Sequence, residues 1–420
     1  MGKIKQIEAR EILASGGAPT VEATVILESG VAGEASVSYG ASAGSKEAVV
    51  LLDADSRRFN GKGMLKAVSH IKEKIAPAII GMEGLKNIDQ KMLELDGTHN
   101  KENLGANAIL AVSMAYARAQ AIENKQMLYE YLQNEFELPK STKLPKPMVV
   151  MIEGGKHADN STDLQEYLVS ALGNKGATEN VRMTMEIYEA LKKILKSEGK
   201  STNVGNEGAF APNGIENNEK AMEYLLRAIE DAGYQPGAEA GISLDAATSE
   251  FYNKETQKYH LKLENRDFSP EELIEYFAQW IGKYPFVSWE DMLSEYDWEN
   301  WPKLVKKVEG KIKIVADDLT VTNTKLWQEA MEKKAATAIL IKLNQAGTVS
   351  ETIECCKLAI KEGLWTIPSH RGGGESNDTF LVDLAVAVGS EYIKVGPTRG
   401  ERVAKYNRLM RIEEILKNNQ

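Results

Sequence analysis

Two cysteines in 420 residues are too few for a disulfide framework. They stand side by side, Cys355 and Cys356 in "ETIECCKLAIKEG". That segment reads as an amphipathic helix, on which neighbours point in different directions. A buried, reduced pair is expected, and with it a reducing compartment. No apolar run reaches membrane-spanning length. The opening "MGKIKQIEAR" lacks the apolar core of a signal peptide. Gly2 also lacks the Ser/Thr at position six that accompanies myristoylation. These absences point to a cytoplasmic protein with no membrane partner. Positive charge is short as well. Lys and Arg number 51 against 61 Asp and Glu, a net charge of −10 with no dense basic block, so no nucleic-acid partner is expected.

What is present is 43% hydrophobic and 27% charged, ordinary for a soluble globular protein with a large core and two or three domains. The N-terminal third mixes strands and helices. "TVEATVILESG" alternates, with Val21, Ala23, Val25 and Leu27 on one face, and "EASVSYG" is its candidate antiparallel partner. "ENLGANAILAVSMAYARAQAIENK" reads as a helix whose small residues suit close packing. "PKSTKLPKP", Pro139 to Pro147, reads as a boundary. It divides an N-terminal domain over 1–138 from a second domain over 139–420.

Beyond the boundary, short apolar segments end in a charged residue and pass into helical stretches. "GISLD" ends at Asp245, "FVSWE" at Glu290, "KIKIVAD" at Asp317, "AILIK" at Lys342, "WTIPSH" at His370 and "YIK" at Lys394. After a first interval of 45 residues the spacing is 24 to 28, the length of a βα unit. Repeated units of this kind imply parallel strands and a closed (β/α) barrel, whose chemistry sits at the C-terminal strand ends. A single charge at a strand end is usually an exit to solvent. Six in succession, acids on three strands and bases on the next three, favour a site.

Asp245, Glu290 and Asp317 would converge at the barrel mouth, where three carboxylates repel unless a cation sits among them. Oxygen-only ligation suits Mg²⁺ better than a bare solvated rim. Lys342, on the next strand, could be a general base beside such a dication or a salt-bridge partner for the acids. His370, Arg371 and Lys394 would form a positive arc opposite, suited to a small, multiply charged anion. Arg371 opens "RGGGESND", where bare backbone could close on an anion, or form a mobile surface turn.

With those residues placed, the chain resembles the enolase family of phosphopyruvate hydratases from about residue 8 to residue 415. "PTVE", "LGANAILAVS", "NVGNEGAFAPN", "DAATSEFY", "VADDLTVTN", "IKLNQAGTVSE" and "ERVAKYNRLMRIEE" carry the resemblance. It implies an α/β fold: an N-terminal α+β capping domain before a (β/α)8 barrel of ββαα(βα)6 order. The second barrel strand would run antiparallel, so that Gln165 and Glu166 still face the mouth. By position, Asp245, Glu290 and Asp317 match the family's metal ligands, Lys342 the base, Glu207 the acid and Glu166 its carboxylate partner. His157 matches a mobile-loop histidine. Ser42 matches the lid serine that helps hold a second Mg²⁺ and touches substrate. Gln165, His370, Arg371, Gly372 and Lys394 fall at substrate positions, with Lys394 on the carboxylate and Arg371 on the phosphate. On this pattern Glu207 is protonated, its pKa raised by Glu166. The resemblance further implies two Mg²⁺ per site, a small phosphorylated or phosphonylated acid as substrate, and a homo-oligomer, dimer or octamer.

Departures from the family pattern cluster at the site. Tyr39 and Ala43 replace the ends of the lid motif, and Glu153 stands where an Asn precedes Gly-Gly. Asp159, Asn206, Ala209 and Gly372 replace Gly, Asp, Gly and Ser. "EDML" stands for Glu-Asp-Pro-Phe, "RGGGES" is one residue longer, and Ala14–Ala18 has lost the usual signature. The expected reaction is dehydration of 2-phosphoglycerate or of an analogue altered at the phosphate end. Carboxyphosphonoenolpyruvate synthase, a family relative of phosphonate biosynthesis, exemplifies the second case. Two other readings compete. "GASAG", Gly40 to Gly44, matches the G-x-S-x-G nucleophile elbow, though not after a hydrolase strand. A non-catalytic paralogue would show a lost base or metal ligand, and none is lost.

Overall fold

The structure is a computed structural model that describes residues 2–40 and 46–418. Ser42, Ala43 and most of the "GASAG" match lie outside the described residues.

The N-terminal sheet contains β1 (Ile4–Leu13), β2 (Pro19–Leu27) and β3 (Ala32–Ser36), antiparallel in that order. Val21, Ala23, Val25 and Leu27 are all fully buried, as period-two alternation requires. Helix α1 (Ala106–Glu123) packs on β2 and β3. It is buried on nearly every side, and Ala111, Ala115 and Ala119 allow the close approach.

Eight strands form the barrel: β4 (Lys146–Glu153), β5 (Glu166–Ala171), β6 (Ala240–Asp245), β7 (Phe286–Glu290), β8 (Lys313–Ala316), β9 (Ala338–Ile341), β10 (Trp365–Pro368) and β11 (Tyr392–Val395). Helices α2 (Ala177–Ser197) and α3 (Asn218–Asp231) separate β5 from β6, and one main helix follows each later strand. The order is therefore ββαα(βα)6. β5 pairs antiparallel with both neighbours, and the other pairings are parallel. A bridge between Ser369 and Lys394 brings the last two strands together and closes the ring. Alternate residues divide between the two faces: Met148 and Val150 join the cluster inside the barrel, Val149 and Met151 the larger core around it.

Two details differ from the sequence expectation. The long interval between Asp245 and Glu290 contains a separate three-stranded sheet, Tyr252–Asn253, Lys258–Leu261 and Arg266–Phe268, before its helix. The charged residues are also not all terminal. Lys394 lies within β11, and His370 lies two residues past β10. Cys355 and Cys356 are buried free thiols on the helix Val349–Lys361.

Candidate active site

The antiparallel direction of β5 puts the start of that strand beside the ends of its neighbours. Glu166 is in register with Asp245 at the end of β6 and with Glu153 at the end of β4, and Asp245 is in register with Glu290. Asp317 and Lys342 directly follow β8 and β9. Glu166, Asp245, Asp317 and Lys342 line one cleft with His157, Gln165, Glu207, His370, Arg371, Gly372 and Lys394, and Glu290 lies behind it against Lys394. The expected site residues are thus gathered at one mouth, except Ser42, which is not described.

Their pairing is less simple than acids facing bases. Lys394 Nζ sits among the carboxylates, 2.9 Å from Glu166, 3.1 Å from Asp245 and 2.8 Å from Glu290. Burial works against its charge, but Asp245, Glu166 and Glu290 outweigh burial and raise its pKa well above the usual value. Burial and then Asp245 hold Glu290 well above the ordinary carboxylate range despite Lys394. Lys342 is hydrogen-bonded to Asp317. Burial presses Lys342 towards neutrality, yet Asp317 prevails and its pKa is raised. Gln165 reaches Asp245 at 3.5 Å.

A second cluster lies across the cleft. His157 Nδ1 is 3.3 Å from Glu166 and 3.5 Å from Glu207, and His370 Nε2 is 3.1 Å from Glu207. The state of Glu207 differs from the sequence expectation. Burial alone would favour its protonated form, but His370, His157 and Arg402 outweigh burial and hold its pKa well below the usual range. The raised carboxyl is Glu153 instead, pushed to about 8 by burial and by Glu207. Burial disfavours the His157 imidazolium, but Glu207 and Glu166 more than offset this and lift its pKa to about 9.

The glycine-rich segment is a fixed wall. Gly373–Gly374 pairs antiparallel with Tyr39–Gly40. Ser15 Oγ donates to Gly373 O at 2.7 Å and accepts from Glu375 N at 2.9 Å. Glu375 in turn accepts from Arg371 N at 2.8 Å and lies 2.9 Å from Lys405. A Cβ at Gly372 would fall 2.7 Å from His157 Nε2 and 2.8 Å from Glu207 Oε1. The space left by the missing side chain is therefore filled by those two residues, and an enlarged pocket does not result.

Sequence reasoning missed several participants. Glu47 grips Arg371 with both oxygens, at 2.9 and 3.1 Å. Gln345 donates to Asp317 at 3.1 Å and to Glu47 at 3.2 Å. Asp291 accepts the backbone N–H groups of Asp317 and Asp318 at 3.1 and 2.8 Å. Arg402, wholly buried, donates to His370 Nδ1 at 3.1 Å and Arg371 O at 3.2 Å. The adjacency of Asp291 to Glu290 was a usable signal. Arg402 sits on the helix Gly400–Asn418, where no local pattern marks it as buried.

Carboxylates from adjacent strands offer only hard oxygen donors, and the burial that raises the pKa of Asp245 and Glu290 is relieved by a cation. The residues present therefore fit Mg²⁺. Among the described residues, the side chains whose potential ligand atoms already approach one another within 4.8 Å are His157, Glu166 and Glu207, and separately Asp291, Asp317 and Asp318. Lys394 lies between Asp245 and Glu290, so those two acids are engaged by an ammonium.

Comparison with known families accounts for nearly the whole length. The enolase N-terminal domain matches residues 4–132, and the enolase C-terminal TIM barrel domain matches residues 141–420. With that two-domain match, the ββαα(βα)6 barrel and the ring of charged residues at its mouth, the chain belongs to the enolase family.

Proposed function

We propose that this chain is a Mg²⁺-dependent hydro-lyase that removes water from 2-phosphoglycerate or a close analogue, giving an enolpyruvate product. The observation that carries this reading is one cleft with Lys342 on one side, Glu207 between two imidazoles on the other, and buried carboxylates between them. Asp245, Glu290 and Asp317 would hold the metal, and Ser42 would contribute to a second ion. When bound, Mg²⁺ supplies positive charge where negative charge builds on the substrate carboxylate.

The α-proton passes to Lys342. Lys342 must first be neutral, so its bond to Asp317 has to give way, and a cation held by Asp317 would favour that. Lys394 is placed to leave the acids for the substrate carboxylate. Loss of the β-hydroxyl as water needs a proton at Glu207, and His157, 3.5 Å away and held as an imidazolium at neutral pH by its raised pKa, is placed to supply it. Arg371 offers its planar fork to the phosphoryl group once Glu47 releases it.

Solvent-deuterium exchange separates the two halves of the reaction. Lys342→Ala should abolish exchange of the α-proton. Glu207→Gln should retain exchange while blocking product. Parent-rate exchange by Lys342→Ala, or full turnover in excess chelator, defeats the reading.

A substrate altered at its phosphate end has one observation in its favour. Gly372 supplies no hydroxyl to share the phosphate with Arg371, and the space for one is occupied. Comparing kcat/KM for 2-phosphoglycerate and a phosphonoformyl analogue decides between the two. Strong preference for 2-phosphoglycerate removes the second.

A further inference from the structure

Glu153 is a completely buried carboxyl that the reaction above does not use. It ends β4, in register with Glu166, and its backbone N–H donates to Phe210 O at 2.8 Å. Its side chain faces the turn that carries Glu207. Oε1 accepts the N–H of Glu207 at 3.0 Å and that of Ala209 at 2.8 Å, while Oε2 lies 3.1 Å from Glu207 N. The opposite edge of the turn is held at Gly208 O by the hydroxyls of Tyr188 and Thr398, both at 2.8 Å. The fit around Glu153 is closed: a Cβ at Gly205 would stand 2.5 Å from Glu153 Oε2 and 2.8 Å from His157 O.

We infer that Glu153 is a positioning residue for Glu207, holding the 205–210 turn so that the Glu207 carboxyl stays between His157 and His370. The inference rests on the reading of Glu207 as the acid that assists water loss. The chemistry of the side chain suits the task. Oε1 accepts both N–H groups in either ionisation state of the carboxyl, and once pH passes about 8 the ionised side chain offers two acceptor oxygens and no donor. Two backbone N–H groups point at it, and hydrogen bonds to a charged acceptor are the strong ones. An amide of the same size would turn a donor NH₂ towards the N–H of Glu207 wherever Oε2 now lies. The half-reaction that needs Glu207 should suffer, and the half that needs Lys342 should not.

The test uses Glu153→Gln, close in size to the parent, in the full chain and above about pH 8, where the parent carboxyl is ionised. Backbone amide exchange at Glu207 and Ala209 should speed up by about tenfold, the loss of one charge-assisted hydrogen bond, with protection of α1 unchanged. Product formation should fall about tenfold in kcat with little change in KM, while α-proton exchange keeps its parent rate. Unchanged amide protection overturns the inference. So does an equal fall in α-proton exchange and product formation, which marks a general structural role. If the parent itself neither exchanges the α-proton nor forms product, the dehydration reading fails by itself. The amide-exchange arm still reports whether Glu153 holds the turn.

Discussion

At the scale of single residues, the structure changes what Gly372 means. A glycine beside an anion-binding arginine invites the idea of extra room. His157 and Glu207 have taken that room, and a Cβ would press on both. Gly372→Ser should therefore fail to confer better use of 2-phosphoglycerate. It should lower kcat on every substrate by about tenfold or more, because overpacking at a closed site typically costs about 1–3 kcal/mol. The clash is with the imidazole first, so the effect should be non-additive. Combined with His157→Ala, the serine should add less than its cost in the parent, the remainder being its contact with Glu207. Full additivity in a double-mutant cycle on kcat/KM would show that the serine acts elsewhere. The strand-end acids and Lys342 were legible in the sequence because period and spacing put them at one mouth. Their partners were not. Arg371 and Glu47 are 324 residues apart in sequence, and nothing local in "KEAVV" marks Glu47 as the partner of an arginine in the seventh barrel strand's loop.

At the scale of elements, charge buried between helices sets how the two halves respond to pH. Asp89, on the helix Leu85–Asp96, is fully buried against the start of the barrel helix Val349–Lys361. It accepts hydrogen bonds from Ser350 N at 3.0 Å and Ser350 Oγ at 2.6 Å. Burial, only partly offset by Ser350, lifts its pKa from 3.8 to about 6. A carboxyl raised in this way favours the folded state when protonated. Its stabilising contribution is complete below the unfolded value and is lost as pH rises through about 6. Asp89→Asn imitates the protonated form and escapes that loss. Between about pH 4 and pH 7 the variant should gain on the parent by up to about 3 kcal/mol in urea unfolding. A difference that does not change with pH would exclude burial of Asp89 as the cause. Element types were largely readable in advance: the alternation of β2, the small-residue helix and the repeated βα spacing all correspond to observed elements. The sheet inserted after β6 was not, because its strands are two to four residues long and carry no sustained alternation.

At the scale of the molecule, the site is assembled across the two sequence halves. The capping region supplies Ser15, Tyr39–Gly40 and Glu47, and the barrel supplies Arg371 and its glycines. Asp378, at the end of that same loop, shows how the halves are fastened. Both its oxygens accept from Arg118 of α1 at 2.6 Å, one also takes the N–H of Ser36 at 3.0 Å, and the other that of Phe380 at 2.7 Å. The carboxylate is mostly buried, with 7% of its side chain exposed. Asp378→Asn keeps the shape but gives up the charge and one acceptor, leaving Arg118 half paired. Each charge-assisted hydrogen bond weakened here is worth about 1.5–3 kcal/mol, so a loss of that order is expected in unfolding free energy. The loss should be felt at the site too. With its far end loosened, the 371–378 segment should exchange its amides faster, and KM for the phosphate-bearing substrate should rise more than kcat falls, because Arg371 is aimed from that segment. An Asp378→Asn variant with parent stability would show that Ser15 and the Tyr39–Gly40 pairing suffice to fix the loop. One that lost stability with KM unchanged would show that fastening the halves and aiming Arg371 are separate tasks.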